Sequence, residues 1–298
     1  MQVRVGASLF DLWNRSGARS LFVVGIGKSV GKTVAMRAIY RASTEAGEIC
    51  ALTSIGRDGE AFDVTDALAK PRLWLEPGTV IATAREALPR SPASELLAST
   101  SYRTAAGSLV YARVRSGAHY ELIGPPTASA LRHVVHDLLR YAPRVLVDGA
   151  VDRIAALAGG EDAVIVACGA SGASTPGEVV DETRALVARL CTPRLDEEAE
   201  SLKIEGALTP AMAAQFIRAR ERRAIVVRDP TQIALTGKTA LQAFERLTIR
   251  CTRPLHVIAV TVASIGRDRA FAPRDFARLV AQAVALPVFD VYAAERAA

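Results

Sequence analysis

The stretch Gly25-Ile26-Gly27-Lys28-Ser29-Val30-Gly31-Lys32-Thr33 lies between two patterns of different period. Before it, Leu21 to Val24 is an apolar run of the kind that forms a buried strand. After it, Ala35, Ile39, Ala42 and Ala46 recur at helical spacing, and Gly47 is placed to end that helix. Glu48 to Thr53 then reads as a second strand. Strand, glycine loop, helix and strand in that order form a βαβ unit, which predicts a parallel pair and a right-handed crossover.

A loop of this composition suits phosphate. Gly25, Gly27 and Gly31 permit a tight turn with backbone N–H groups facing inward. Lys32 is positioned to reach β- and γ-phosphates, and Thr33 to put its hydroxyl on Mg²⁺. The following helix offers its N-terminus to the anion. The binding set is therefore Gly25, Gly27, Lys28, Ser29, Val30, Gly31, Lys32 and Thr33. The spacing departs from the usual G-x-x-x-x-G-K-[ST]: Ile26 stands five before Gly31, and the glycine is one further back. A plain glycine turn ahead of a helix is the competing reading.

Magnesium on such a fold needs carboxylates at strand ends near the loop. Arg144 to Val147 reads as a strand that ends in Asp148-Gly149, which makes Asp148 a candidate to hold Mg²⁺ through water. Asp58 and Glu60, in Thr53-Ser54-Ile55-Gly56-Arg57-Asp58-Gly59-Glu60, are candidates for a second Mg²⁺ contact or for orienting a water. An ordinary strand-end aspartate and a polar turn are the alternatives. Lys32, Asp58 and Asp148 form the candidate catalytic set, and Thr33, Asp58, Glu60 and Asp148 the metal set. Arg153 either contacts phosphate or pairs with Asp152. His133 and His136 share a helix face without a visible third ligand. Asp229-Pro230-Thr231 either borders a crevice or makes a strand-to-helix turn.

The chain has 298 residues, is half apolar and carries a formal charge of +6. Its arginines are interleaved with Asp and Glu, and few aromatics stand beside them. Neither a base-stacking platform nor a nucleic-acid partner is expected. Cys50, Cys168, Cys191 and Cys251 form no C-x-x-C pair, so neither a zinc site nor a disulfide framework is expected. The start Met1-Gln2-Val3-Arg4-Val5 has no signal-like apolar run, and no stretch approaches the roughly 18 apolar residues of a membrane span. These features lead us to expect a cytoplasmic protein without membrane association. A homodimer is left open.

The rest of the chain alternates strand and helix. In the middle, Arg72–Leu75 reads as a strand, Thr83–Leu88 as a helix and Pro89–Thr104 as a mobile loop. Leu109–Val114 and Tyr120–Ile123 read as a hairpin around Ser116-Gly117. A helix with Leu131, Val135 and Leu138 inward leads to Arg144. Further strands are expected at 163–167, 204–207, 224–227, 247–250, 257–262 and 288–291, with helices at 178–190, 210–219, 240–244 and 273–285. The expected class is α/β: a P-loop-NTPase-like, doubly wound, mostly parallel sheet with helices on both faces and a small hairpin insertion. A single domain over 1–298 is the first choice, and a division into 1–170 and 171–298 the second. Ser-Ile-Gly-Arg-Asp recurs at 54–58 and 264–268, too briefly to argue duplication.

The five-residue spacing of the loop resembles dethiobiotin synthetase and its relatives among the deviant-Walker ATPases. The signature lysine of those ATPases falls here on Gly27, with Lys28 one residue off. A wider set, 25–33, 52–60, Lys70-Pro71-Arg72-Leu73, 78–84, Val147-Asp148-Gly149-Ala150-Val151-Asp152-Arg153, Ala259-Val260-Thr261 and 287–291, resembles the ATP-binding subunit of the lysine 5,6-aminomutase reactivase. The resemblance implies an ATP- and Mg²⁺-dependent chaperone. It would act with a glutamate mutase L-like subunit to release damaged cobalamin from an adenosylcobalamin-dependent aminomutase. That family continues into Asn-Pro after the strand near 257–262, where related folds read the base; Val262-Ala263-Ser264 stand here, leaving ATP or GTP open. A dethiobiotin-synthetase-like kinase or ligase acting on a small molecule, with Arg57 as its one candidate substrate contact, is the alternative, and a regulatory module with little hydrolysis is a third.

Overall fold

The computed structural model describes residues 5–55, 72–89, 93–149, 157, 162–196 and 198–292. The chain forms two compact units. One comprises Met1–Val23 and Lys32–Ala156, the other Val24–Gly31 and Leu157–Ala298. Among the described residues the class is α/β with mostly parallel strands, and no helix is long and apolar enough to cross a membrane.

The first unit is built on β1 (Ser20–Gly25), β2 (Cys50–Ser54), β4 (Val80–Ala84) and β8 (Arg144–Asp148), in the parallel order β1-β8-β2-β4. Every residue of β1, β2 and β4 is buried. This explains their continuous apolar runs: parallel strands are covered on both faces and show no alternation. The crossover from β1 is α2 (Lys32–Glu45), which buries Ala35, Met36, Ile39 and Tyr40. Gly47 follows it at φ 75°, a left-handed terminus that glycine adopts freely. Two antiparallel strands, β5 (Ser94–Thr104) and β6 (Gly107–Val114), extend the sheet beyond β4, and α3 (Ala128–Leu138) contacts β4. A separate two-stranded piece pairs β3 (Leu73–Leu75) with β7 (Ala118–Tyr120).

Three expectations for this unit are corrected. Residues 94–104, read as part of a mobile loop, form the longest strand among the described residues; Thr and Tyr have good strand propensity even without apolar alternation. The hairpin joins β5 to β6 through Ala105-Ala106, while β7 pairs with β3. Gly107 makes that turn at φ 133°, where an added Cβ would lie 1.8 Å from a Glu86 carboxylate oxygen. Thr83–Leu88 is strand and then a 3₁₀ turn at Arg85–Ala87. Its helix-forming composition yields to tertiary bonds: Thr83 Oγ1 donates to Glu121 O at 2.8 Å and accepts from Ile123 N–H at 2.9 Å.

A further helix, for which no expectation was stated, is α1 (Val5–Ser16). It buries Leu9, Phe10 and Trp13 and packs on α2. A Cβ on Gly6 would stand 2.3 Å from Ala38 O, so the two helices meet at a glycine. The Arg144 guanidinium lies 5.2 Å from the Trp13 ring centroid and donates from Nε to Glu48 Oε2 at 2.8 Å.

The second unit contains β9 (Ala163–Gly169), α4 (Pro176–Leu190), β10 (Ser201–Lys203), α5 (Pro210–Arg218), β11 (Ala224–Val227), α6 (Gly237–Arg246), β12 (Ile249–Cys251), β13 (His256–Ala263), α7 (Pro273–Ala283) and β14 (Val288–Asp290). β13 pairs in parallel with both β9 and β14. β10, β11 and β12 form their own three-stranded parallel sheet, so the expected single continuous sheet does not hold. Strand–helix alternation in a sequence does not reveal which sheet a strand joins. The small sheet has its own core, in which Leu208, Ile225, Ile233, Leu235 and Ala243 are buried. Thr175 begins α4 with a capping box, its hydroxyl accepting from Glu178 N–H and the Glu178 carboxylate accepting from Thr175 N–H.

Trp13 is fully buried, so Trp13→Ala should cost about 3–5 kcal/mol of unfolding free energy in a urea titration. A loss below about 1 kcal/mol would contradict the place of α1 in the core.

Candidate functional site

Residues 26–31 leave β1 and end where α2 begins at Lys32. Ile26 N–H donates to Ala167 O at 3.1 Å, which anchors the start of the loop beside β9. Val30 is buried, whereas Lys28 and Ser29 are exposed. The turn needs two left-handed residues, Ser29 at φ 56° and Gly31 at φ 91°. Left-handed residues within such a turn direct successive N–H groups into a concavity that suits an anion.

Close packing explains the glycines. A Cβ on Gly31 would stand 2.7 Å from the Ala263 methyl group. One on Gly169 would meet the Ala263 methyl at 3.0 Å and Val30 Cα at 3.1 Å, and one on Gly172 would reach 2.6 Å from Ile26 Cδ1. The loop therefore rests on the ends of β9 and β13 with no space for a side chain between. Gly27 is different, since its added Cβ would make only ordinary contacts, 3.6 Å to Val30 Cγ1 and 3.8 Å to Gly172 Cα.

The remaining expected residues fall as follows. Lys32 and Thr33, both half-buried, open α2. Asp148 ends β8, in register with Val23 of β1 on one side and Ser54 of β2 on the other. Its carbonyl accepts from Ile55 N–H at 3.1 Å, and Gly149 N–H donates to Val23 O at 3.0 Å. The Asp148 carboxyl is thus carried at the C-terminal edge of adjacent parallel strands, the edge where open α/β sheets bind ligands. Beside it, the Ser54 hydroxyl donates to Leu122 O at 2.8 Å and accepts from Gly124 N–H at 3.2 Å. Arg57, Asp58, Glu60, Asp152 and Arg153 lie outside the described residues.

Other candidates resolve into structural roles. Asp229 accepts from the Thr231 backbone N–H at 3.0 Å, from the Thr231 hydroxyl and from Arg228 Nε at 2.9 Å, holding the turn at Pro230–Gln232. The His133 ring stacks on Tyr102, whose hydroxyl lies 3.0 Å from Nδ1. No group of three His, Cys, Asp or Glu among the described residues is placed to hold a metal. Burial pushes the Cys168 thiol up to about 12, which removes it as a nucleophile at neutral pH.

The motif reading missed the outer wall of the loop. Lys28 and Ser29 line a cleft of about 310 Å³ together with Ser171, Ser174, Arg267 and Arg269. Two sequence signals pointed there: the glycine-rich Gly169-Ala170-Ser171-Gly172 after a strand, and the second Ser-Ile-Gly-Arg-Asp at 264–268. No family model, curated protein or solved structure matches this chain.

Gly31→Ala combines left-handed backbone with a blocked methyl position. It should lower the unfolding free energy by about 1–3 kcal/mol, with partial rescue by Ala263→Gly. An unchanged urea midpoint for the single variant would contradict this packing.

Proposed function

We propose that the chain binds and hydrolyses Mg-ATP at Gly25–Thr33 and Asp148, as the ATP-binding subunit of a cytoplasmic reactivating chaperone for an adenosylcobalamin-dependent aminomutase. One observation carries the nucleotide half: a strand, a tight turn with Ser29 and Gly31 left-handed, and a helix that opens on Lys32-Thr33. An ordinary glycine turn does not require this sequence of a lysine and a hydroxyl at the helix start. In the proposed site, the backbone N–H groups of the turn cradle phosphate oxygens and the Lys32 ammonium neutralises the β- and γ-phosphates. The Thr33 hydroxyl and the Asp148 carboxylate hold Mg²⁺, the latter through water. Held there, Mg²⁺ would supply neutralising charge to the phosphates.

The chaperone half rests on the resemblance of 52–60 and 147–153 to the reactivase subunit. Its partner would be a glutamate mutase L-like subunit and its client a lysine 5,6-aminomutase-type enzyme. Such a role requires that nucleotide state change a protein–protein contact.

Calorimetry with Mg-ATP should show binding to the wild type and none to Lys32→Ala; equal affinity in the variant would remove the site. Asp148→Asn should retain nucleotide and lose about tenfold or more of the hydrolysis rate. An inactivated aminomutase supplied with ATP, this chain and the partner subunit should regain turnover. Failure of that reconstitution, with ATP binding intact, would overturn the chaperone reading alone.

A further inference from the structure

The cleft outside the loop adds two arginines, which the phosphate-loop reading does not use, to Lys28 of the loop. Lys28, Arg267 and Arg269 line the cleft, and Asp268 is the carboxylate among its described lining residues. Cations collected around a concavity repel one another, and an oxyanion placed between them relieves that repulsion.

Its wall is constructed by specific bonds. Residues 264–271 fold back on themselves, with Phe271 N–H donating to Ser264 O at 2.9 Å and Gly266 N–H to Arg269 O at 2.8 Å. Two further bonds tie this turn to the segment after β9: Arg267 N–H to Ser171 Oγ at 3.0 Å, and Arg269 Nη1 to Ala173 O at 2.7 Å. A Cβ on Gly266 would lie 2.5 Å from Ser171 Oγ, so the approach depends on glycine.

The donors remaining at this wall suit an anion. Arg269 engages Ala173 through Nη1 and keeps further guanidinium donors. Arg267 is exposed, and its guanidinium makes no hydrogen bond or ion pair among the described residues. Ser171 Oγ accepts from Arg267 N–H, which leaves its own O–H to donate. Ser174 gives its backbone N–H to Glu178 Oε2 at 2.9 Å and lines the cleft.

We propose that this cleft binds the phosphate-type oxyanion of a small ligand. Arg267 and Arg269 supply forked donors, Lys28 a point charge, and Ser29, Ser171 and Ser174 hydroxyls. About 310 Å³ is roughly ten times the volume share of a water molecule, enough for a phosphate and a compact body attached to it. The phosphate belongs either to the bound nucleotide itself or to a second phosphorylated molecule; the recognising chemistry is the same. Lys28 and Ser29 are shared with the proposed ATP site, whereas Ser171, Ser174, Arg267 and Arg269 lie outside it, so the arginine variants test this inference separately from Lys32→Ala.

The test is calorimetric titration of the full chain with pyrophosphate at low salt. It is performed in Lys32→Ala, so that the loop lysine does not contribute. Pyrophosphate should bind, and adding Arg267→Ala with Arg269→Ala should weaken binding about tenfold or more. Adding Asp268→Asn instead should strengthen it, since a like charge is removed. Arg267→Lys with Arg269→Lys should give an intermediate affinity, and an unchanged urea midpoint in each variant excludes misfolding. No binding in Lys32→Ala, or binding indifferent to both arginines, would overturn the proposal. A parallel titration of the wild type saturated with Mg-ATP, which occupies the loop, separates the sources: remaining pyrophosphate binding that Arg267→Ala with Arg269→Ala removes assigns the anion to a second ligand, and no remaining binding assigns it to the nucleotide.

Discussion

The close approach of Gly31 and Gly169 to the Ala263 methyl group is the constraint on which the proposed site depends. Backbone meets backbone there with a single methyl between, and this fixes the height of the loop over the strand ends. Gly172 extends the same contact to Ile26, and Val30 closes it by burying its side chain. With Val30 held inward, the exposed positions are Lys28 and Ser29. The turn thus sorts its own residues into one that packs and two that face outward, before any ligand is considered. Interiors of this density do not adjust smoothly, so a methyl added at Gly31 must displace something.

Where burial alone shapes a segment, its sequence was informative. The fully buried strands β1, β2 and β9 carry the apolar runs that mark them, and the helices expected at 178–190 and 210–219 are α4 and α5. Both the strand–loop–helix element and the placement of Asp148 at a strand end were legible for this reason. Residues 94–104 were not, because a strand of Ser, Thr, Ala and Tyr with partly exposed faces lacks the alternation that marks strands. Thr83 misled for the opposite reason: its neighbours favour helix, but its hydroxyl is committed to Glu121 and Ile123, about forty positions away. Pairing partners were equally hidden. Only the folded chain shows that β7 joins β3 and that β10, β11 and β12 form a sheet of their own.

At the site, the motif identified residues whose own chemistry is distinctive and missed those that act through position. Lys32, Thr33 and Asp148 stand out by type. Gly169, Gly172, Gly266 and Ser171 matter because of what lies within 3.1 Å of them or bonds to them, which no local pattern records. The repeated Ser-Ile-Gly-Arg-Asp shows how context separates identical residues. In the second copy Ser264 is buried at the end of β13 and Gly266 meets Ser171. In the first, the Ser54 hydroxyl instead bonds Leu122 and Gly124.

The central claim is that residues 25–33 enclose phosphate. Amide hydrogen exchange of the full chain, followed by mass spectrometry with and without ATP and Mg²⁺, reads this directly. Peptides spanning residues 26–34 should gain protection when both are present, because their N–H groups become donors to phosphate oxygens. Exchange across 26–34 that is unchanged at saturating ATP and Mg²⁺ would contradict it.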